Sequence, residues 1–356
     1  MISPATPGDL WTLRRKPRSQ VMLYNEAMLA KPHRFFWCAL RSMTAGSSYD
    51  GATLMHRERS VRAAVQSLGR SSRAEHDIVM LATYGGERGY PTDPDLWFRL
   101  LEHLIFRAGR ASVQRLYAAL SQRHGELREI FRQLGFVHYT TQSVLRLEGP
   151  DWDQGTSLAP LRPQTRRSLF AIQKLYGLTT PKPVQQAEVR ESRSWKLPRR
   201  RLSRPNAHGW VLGTDDTLST YLHVTSGPAG HVFSLLLHPE VRDLTPDVIR
   251  FGLAQIRDDL PVYLLLREYQ RELLLPASDL GFQPIGEQAL YVKHTTAPVR
   301  QTILRPAIET IVETRLPIPT ISSINENARA YVKSTGYHEQ HRAAAGDAAV
   351  GHPDGA

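Results

Sequence analysis

Apolar residues recur at helical spacing in one long stretch of the first half. Trp97, Leu100, Leu101, Leu104, Ile105 and Ala108 share a face, which predicts an amphipathic helix. Thr92 or Asp93 can cap it, Pro94 suits its first turn and Gly109 stops it. Residues 33–43 predict a short amphipathic helix with Phe36, Trp37 and Leu40 on one side. Residues 60–68 and 76–84 read as strands. The second holds the near-continuous apolar run from Asp77 to Ala82, so it is expected at the centre of a sheet. Val113–Leu120 predicts a further strand and Glu126–Leu134 a short helix ended by Gly135. Residues 136–148 alternate, as a strand pair or one long bent strand would. The chain ahead of residue 33 reads as irregular and basic.

The second half repeats this with a fuller front. Thr165 can cap a helix carrying Leu169, Ile172 and Tyr176, with Gly177 ending it. Pro183–Trp195 predicts a second helix. Strands are expected at 209–213, 217–226 and 231–238, then a helix from Pro246 with Val248, Ile249, Leu253 and Ile256 on one face. Strand 261–267, helix 268–280 and strands 282–296 complete an order β-α-α-β-β-β-α-β-α-β-β. Residues 149–160 read as a linker. From about residue 298 the pattern changes to an arm, and the Ala- and Gly-rich end, residues 343–356, is expected to be disordered.

The two halves share more than an element order. Tyr117, Glu126-Leu127 and Leu134-Gly135-Phe136 return as Tyr263, Glu272-Leu273 and Leu280-Gly281-Phe282, each offset by 146 residues. A fixed offset of domain size indicates a tandem duplication rather than a solenoid. The expected domains are 1–150 and 151–297, with 298–356 as the arm and tail.

Composition adds bounds. The hydrophobic fraction of 41% and charged fraction of 22% are those of a globular protein with material for two cores. The single cysteine, Cys38, excludes a disulfide framework and fits a reducing compartment. The basic N-terminus lacks the apolar region of a secretory signal. No run approaches the roughly 18 apolar residues of a membrane span, so a cytoplasmic protein without membrane contact is expected. The net charge of +11 would attract polyanions: nucleic acid, an anionic surface or a phosphorylated cofactor.

The element order, with Leu-Gly-Phe after the penultimate helix, resembles the GNAT-type N-acetyltransferase superfamily over residues 76–148 and 159–296. The resemblance implies an α/β (α+β) fold of two tandem domains, each a mixed, mostly antiparallel central sheet flanked by helices. In that family the sheet splays open between its fourth and fifth strands. Acetyl-CoA lies in the opening, its pantetheine pairing with the fourth strand like an added strand. Its pyrophosphate rests on the next helix N-terminus, where unpaired N–H groups receive phosphates. The positions that would meet the cofactor are Leu235, Leu237, Arg242, Asp243 and Thr245 in the second copy. In the first copy they are Leu81, Tyr84, Gly85, Gly86 and Arg88. The second copy departs from the family's glycine loop, with Thr245, Pro246 and Asp247 where small residues belong. The first keeps glycines in a different order. Many family enzymes use a tyrosine as general acid four residues before the Gly-Phe glycine. Phe131 and Ala277 stand there, and neither can donate a proton. No other catalytic residue is assigned.

Other candidates are weaker. Arg190, Arg193, Lys196, Arg199, Arg200, Arg201 and Arg204 form a basic loop that reads first as a solvated surface and second as a polyanion contact. His338 and His341 have spacing near that of a zinc helix but fall in the tail, and no metal is expected. His76, His231 and His238 flank the fourth strands and read first as structural histidines, second as bases. Three hypotheses follow. The first is acetyl-CoA-dependent N-acyl transfer to a small-molecule or peptide amine. The second is a non-catalytic binding or scaffold descendant of that fold. The third, a nucleic-acid-associated protein, is permitted by charge but not favoured.

Overall fold

In the computed structural model, residues 1–44, 51–58, 61–70, 74–85, 94–149, 159–197 and 206–295 are described. The first half contributes β1 (Ile2–Pro4), α1 (Leu10–Arg14), β2 (Ser19–Met22), α2 (Glu26–Ala30), α3 (Phe35–Thr44), β3 (Gly51–Arg57), β4 (Val61–Gly69), β5 (Glu75–Gly85), α4 (Pro94–Arg110), β6 (Arg115–Ser121), α5 (Gly125–Gln133) and β7 (Val137–Leu147). The second contributes β8 (Arg162–Pro163), α6 (Ser168–Thr179), α7 (Lys182–Glu188), β9 (Asn206–Gly213), β10 (Leu218–Gly227), β11 (Gly230–Leu237), α8 (Thr245–Ala254), β12 (Val262–Arg267), α9 (Leu274–Asp279) and β13 (Gln283–His294). The mixed α/β class and the mainly antiparallel sheet agree with the sequence reading.

The apolar stripe of α4 does what its spacing predicts. Leu100 and Leu101 are fully buried and Trp97 and Leu104 nearly so. Asp95 lies in the first turn and Arg107 and Arg110 in the last, matching the helix dipole. The repeated Leu-Gly-Phe is a helix stop in both halves. Gly135 and Gly281 take positive φ of 77° and 89°, a region open to glycine without a Cβ penalty. Phe136 N–H donates to Phe131 C=O at 2.9 Å, and Phe282 N–H to Ala277 C=O at 3.1 Å. Phe131 and Ala277 are fully buried, so the general-acid position of the family faces the core in both copies of this chain.

Several local expectations are corrected. The opening region is structured, with β1, α1, β2 and α2 ahead of α3. Of the two forms expected for residues 136–148, the single long strand is the one observed. Gly177 does not end α6, which runs on to Thr179. Thr165 is not the N-cap, which is Arg167; Thr165 instead donates its N–H to Ser168 Oγ. The helix expected over Pro183–Trp195 breaks at Val189, which adopts φ 41°, ψ 54°, and only a 3-10 turn, Ser192–Trp195, follows. The linker 150–158, the loop at 86–93 and everything after 295 lie outside the described residues.

Among the described residues thirteen strands form one sheet, ordered β1-β3-β4-β5-β6-β13-β7-β12-β11-β10-β9-β8, with β2 paired to β5 off this path. Its centre is an exchange. The last strand of each half lies beside the penultimate strand of the other: β13 pairs antiparallel with β6, and β7 with β12. The registers repeat the sequence offset. Gln142 faces Arg267 across one pair, and Gln288 faces Ser121 across the other. Each core is completed from the other half. Ala289 and Tyr291 of β13 pack with the α4–α5 core, and Leu145 of β7 packs with Phe233, Leu264 and Phe282.

Both parallel strand pairs diverge, as the resemblance implies. β5 follows β6 only through Glu75–Asp77, and β11 follows β12 only through His231–Ser234. Beyond those points the edges of β5 and β11 lose their parallel neighbours, so their backbone groups need other partners.

Candidate functional site

The first opening is filled by the chain itself. β5 uses one edge for β4 along its length. On the other edge, past the divergence, lies β2, with Ser19 opposite Thr83, Gln20 opposite Ala82, Val21 opposite Leu81 and Met22 opposite Met80. Arg18 N–H donates to Thr83 C=O at 2.8 Å and Leu23 N–H to Val79 C=O at 3.0 Å. Asn25 anchors this segment: its Oδ1 caps α2 by accepting from Met28 N–H, and its Nδ2 donates to Asp77 Oδ2 at 3.0 Å. Asp77, the last residue of β5 paired with β6, also receives Arg70 at 2.7 Å. Arg70 lies 3.7 Å from the centre of the Tyr117 ring. Of the first-copy positions singled out, Leu81 is buried opposite Val21, and Tyr84 is buried, its hydroxyl pushed up to about 12 by burial. Gly85 is exposed with φ 78°. Gly86 and Arg88 lie outside the described residues.

The second opening is closed by one side chain. Gln270 sits in the 3-10 turn Glu268–Leu273 after β12. Its Nε2 donates to Leu235 C=O at 2.7 Å, and its Oε1 accepts from Arg267 N–H at 3.1 Å. Leu235 and Leu237 are buried in the second core. The 3-10 turn Pro239–Leu244 runs directly into α8, so Leu244, the N-cap, already has helical dihedrals. Thr245 is fully buried, and both its N–H and its hydroxyl donate to Arg242 C=O. Arg242 pairs with Glu272 at 3.0 Å, and Asp243 is exposed. Asp247 in the first turn of α8 pairs with Arg250. A helix entered this way offers an anion few free donors, and Asp247 adds charge of the wrong sign.

Where the resemblance would place pantetheine, the β5 edge is taken by β2 in one copy and the Leu235 C=O of β11 by Gln270 in the other.

Between the two divergence points lies a cavity of about 1060 Å³. Its floor is the exchanged sheet, from Ile78 and Tyr117 across Gln142 to Leu265 and Arg267. Helices α2 and α3 of the first half cover it, and the end of α7 closes the far side. α2 reaches the second half because Gly227 lacks a side chain: a Cβ there would stand 2.4 Å from Ala30 C=O, which accepts from Ala229 N–H.

Charged groups cluster on the cavity wall. Glu188, 5% exposed at its side chain, pairs with Arg190 at 2.8 Å and Arg267 at 3.3 Å, and accepts from the Tyr176 hydroxyl at 3.0 Å. Burial opposes its ionisation, but Arg190, Arg267 and Arg70 outweigh it and hold the carboxyl below its usual range. Arg190 lies 4.9 Å from the Trp195 ring. Glu26 meets His223 at 3.2 Å and the Thr225 hydroxyl at 2.9 Å. Burial raises its pKa, yet these partners bring it down to about 2. Tyr139 is pushed up to about 12, first by burial and then by Glu188. Burial also raises the Cys38 thiol to about 11, so it is held as an unreactive thiol.

Glu188, Arg267, Arg70 and Glu26 were not anticipated from sequence. Arg190 was, as part of a basic loop, but it is drawn inward to Glu188. Arg199–Arg204 lie outside the described residues. His76 is buried beside Ser67, and His231 is held between Ser226 and Asp258, each at 2.8 Å. His238 caps the following turn by accepting from Glu240 N–H. All three sit in structural settings. Among the described residues no cluster could hold a metal ion, and no helix is long and apolar enough to cross a membrane.

Known structures similar to this chain include a GCN5-related N-acetyltransferase from Sphaerobacter thermophilus, at 13% identity and TM-score 0.46, covering 83% of this chain and 95% of that one. A tandem GNAT protein from the clavulanic acid biosynthesis pathway matches at 14% identity and TM-score 0.44, covering 83% and 98%. A putative acetyltransferase from Pyrococcus horikoshii matches at 9% identity and TM-score 0.41, covering 84% and 91%. No family model matches the sequence, and no curated protein matches it.

Proposed function

We propose that this chain is a tandem GNAT-fold protein that works as a ligand-binding module through its central cavity, without acyl transfer from acetyl-CoA. The observation that carries this reading is β2. It runs along β5 where pantetheine would pair, so the first copy presents a completed edge rather than a cofactor groove. Gln270 closes the second. The charged groups instead converge on the cavity between them.

A second reading, N-acyl transfer to an amine through the second copy, has one observation in its favour. There a single side chain spans the divergence, on a turn whose backbone at Gln270 (φ −114°, ψ 22°) already departs from helical geometry. Rotation of one side chain would expose Leu235 C=O.

Thermal unfolding with acetyl-CoA separates the two. A ligand that binds only the folded state, at a hundred times its Kd, adds about 2.7 kcal/mol, a readily measured rise in Tm. The first reading expects no rise in the native chain. A rise in the native chain that grows in Gln270→Ala would overturn it and favour the second.

A further inference from the structure

The outer face of α1 carries charge that the fold does not use. Thr12 and Leu13 of this helix are buried, while Trp11, Arg14 and Arg15 are exposed. Their spacing of three and four residues sets them on one face. Trp11 is 71% exposed. Arg15, the C-cap, turns the backbone extended, at φ −74°, ψ 155°. From there Lys16, Arg18 and Gln20 are exposed and alternate with half-buried Pro17 and Ser19, so they line the outer side of the chain entering β2. Four cations thus follow one open indole over residues 11–18.

Arg14, Arg15, Lys16 and Arg18 have no ion-pair partner among the described residues. Residues 10–25 contain no carboxylate. Asp9, just before them, is buried and held by Arg57, and Glu58, next to that arginine, bonds His56. The segment is also fixed in place. Arg62 Nη1 donates to Thr12 Oγ1 at 2.7 Å, and Arg18 N–H to Thr83 C=O at 2.8 Å. A row of unopposed cations on an ordered backbone is preorganised for a polyanion.

The shape selects among polyanions. α1 is five residues long and lies on the sheet beside α3, so it cannot enter a major groove as a recognition helix does. Its Leu10 and Leu13 turn to the core with Met80 and Tyr84. Trp11 is then the one apolar side chain of the helix facing out, far less than a lipid-embedded helix buries. A linear row of cations beside an open aromatic ring suits a single strand, whose phosphates follow one line and whose bases offer faces for stacking.

We propose that the outer face of α1 and the chain leading into β2 bind single-stranded nucleic acid. Trp11 stacks on a base, and Arg14, Arg15, Lys16 and Arg18 hold phosphates. None of these residues lines the central cavity, so the proposal is independent of what the cavity holds.

Fluorescence anisotropy with a labelled oligothymidylate tests it on the full chain. Affinity is expected to fall as salt rises, each phosphate contact adding about −0.7 to the slope of log K against log salt. Lys16→Gln with Arg18→Gln is expected to make that slope shallower by about 1.4. Arg166→Gln with Arg167→Gln removes the same charge from exposed positions at the start of α6 and is expected to leave it unchanged. Trp11→Ala is expected to bind at least about fivefold more weakly with the slope retained. A duplex of the same length is expected to bind more weakly than the single strand at equal salt. All the substituted side chains are exposed, so thermal unfolding should show these variants folded. No binding at low salt, an equal loss in the Arg166 and Arg167 control, unchanged affinity in Trp11→Ala, or tighter binding of the duplex would each overturn the proposal. So would Trp11-dependent binding to phosphatidylserine vesicles without binding of oligothymidylate, which would assign this face to a lipid surface.

Discussion

Gln142 Nε2 donates to Gln288 Oε1 at 3.2 Å, and the two residues are the same position of the two repeats, 146 apart. They face each other in the β7–β13 ladder. Gln142 also faces Arg267, and Gln288 faces Ser121, which are again 146 apart. A pseudo-twofold axis therefore passes between the two glutamines. The two repeated segments exchange strands about this axis, which runs through the cavity floor.

Exchange makes folding of the halves interdependent. Residues 1–149 alone would leave the β6 edge without β13, and would leave β7 without β12 or β13. Long unpaired edges of this kind aggregate rather than stay folded. Residues 1–149 expressed alone are expected to lack cooperative unfolding and to recover it when the remaining chain is supplied. Cooperative unfolding of residues 1–149 by themselves would sink this account.

Asn25→Ala is expected to loosen the strand that fills the first opening. It removes the cap on α2 and the bond to Asp77 together. A lost cap costs about 1 kcal/mol and a bond to a charged group about 1.5–3, so a loss of roughly 2.5–4 kcal/mol is expected in urea unfolding. Hydrogen exchange adds a specific readout. Amides of residues 18–23 should exchange faster while those of α4 do not. Uniform acceleration would mean that β2 is not a separately anchored segment.

The framework was legible because the repeated residues carry backbone and core duties. Gly135 and Gly281 must accept positive φ, and Phe136 and Phe282 fill equivalent places in the two cores. Strand divergence was likewise foreseen. The exchange was not, because alternation fixes which face of a strand is buried and says nothing of which neighbour it pairs with. Nor was β2. Ser19–Met22 is four residues in a basic stretch, too short for a period to register, and its place depends on an edge vacated far away in sequence. Glu188 and Arg190 escaped for a different reason. Left-handed backbone normally announces itself as glycine or asparagine, and here it falls on a valine.

Val189→Gly tests the strain at that valine. Glycine takes φ 41° without the steric cost of a β-branched side chain, and Val189 is 41% exposed, so little packing is lost. The variant is expected to be more stable by about 1 kcal/mol, read as a higher urea midpoint with an unchanged slope. A destabilised Val189→Gly would show that the valine's packing outweighs its strain.

Acid should unfold this protein through its paired carboxylates. The folded pKa of Glu188 lies below the ordinary 4.5, and Glu26 and Asp9 are each lowered to about 2. A depressed folded pKa means that the unfolded chain binds more protons. The stabilisation is then full above about 4.5 and is lost as pH falls toward about 2. Glu188→Gln is expected to flatten part of that slope, since its titration is removed. At neutral pH the same variant should be less stable by about 3–5 kcal/mol, because Arg190 and Arg267 lose the charge that compensates their burial. Urea unfolding at pH 7, 5, 4 and 3 reads both effects. A Glu188→Gln variant with native stability at pH 7 and a native acid slope would mean that this carboxylate does not hold the far wall of the cavity.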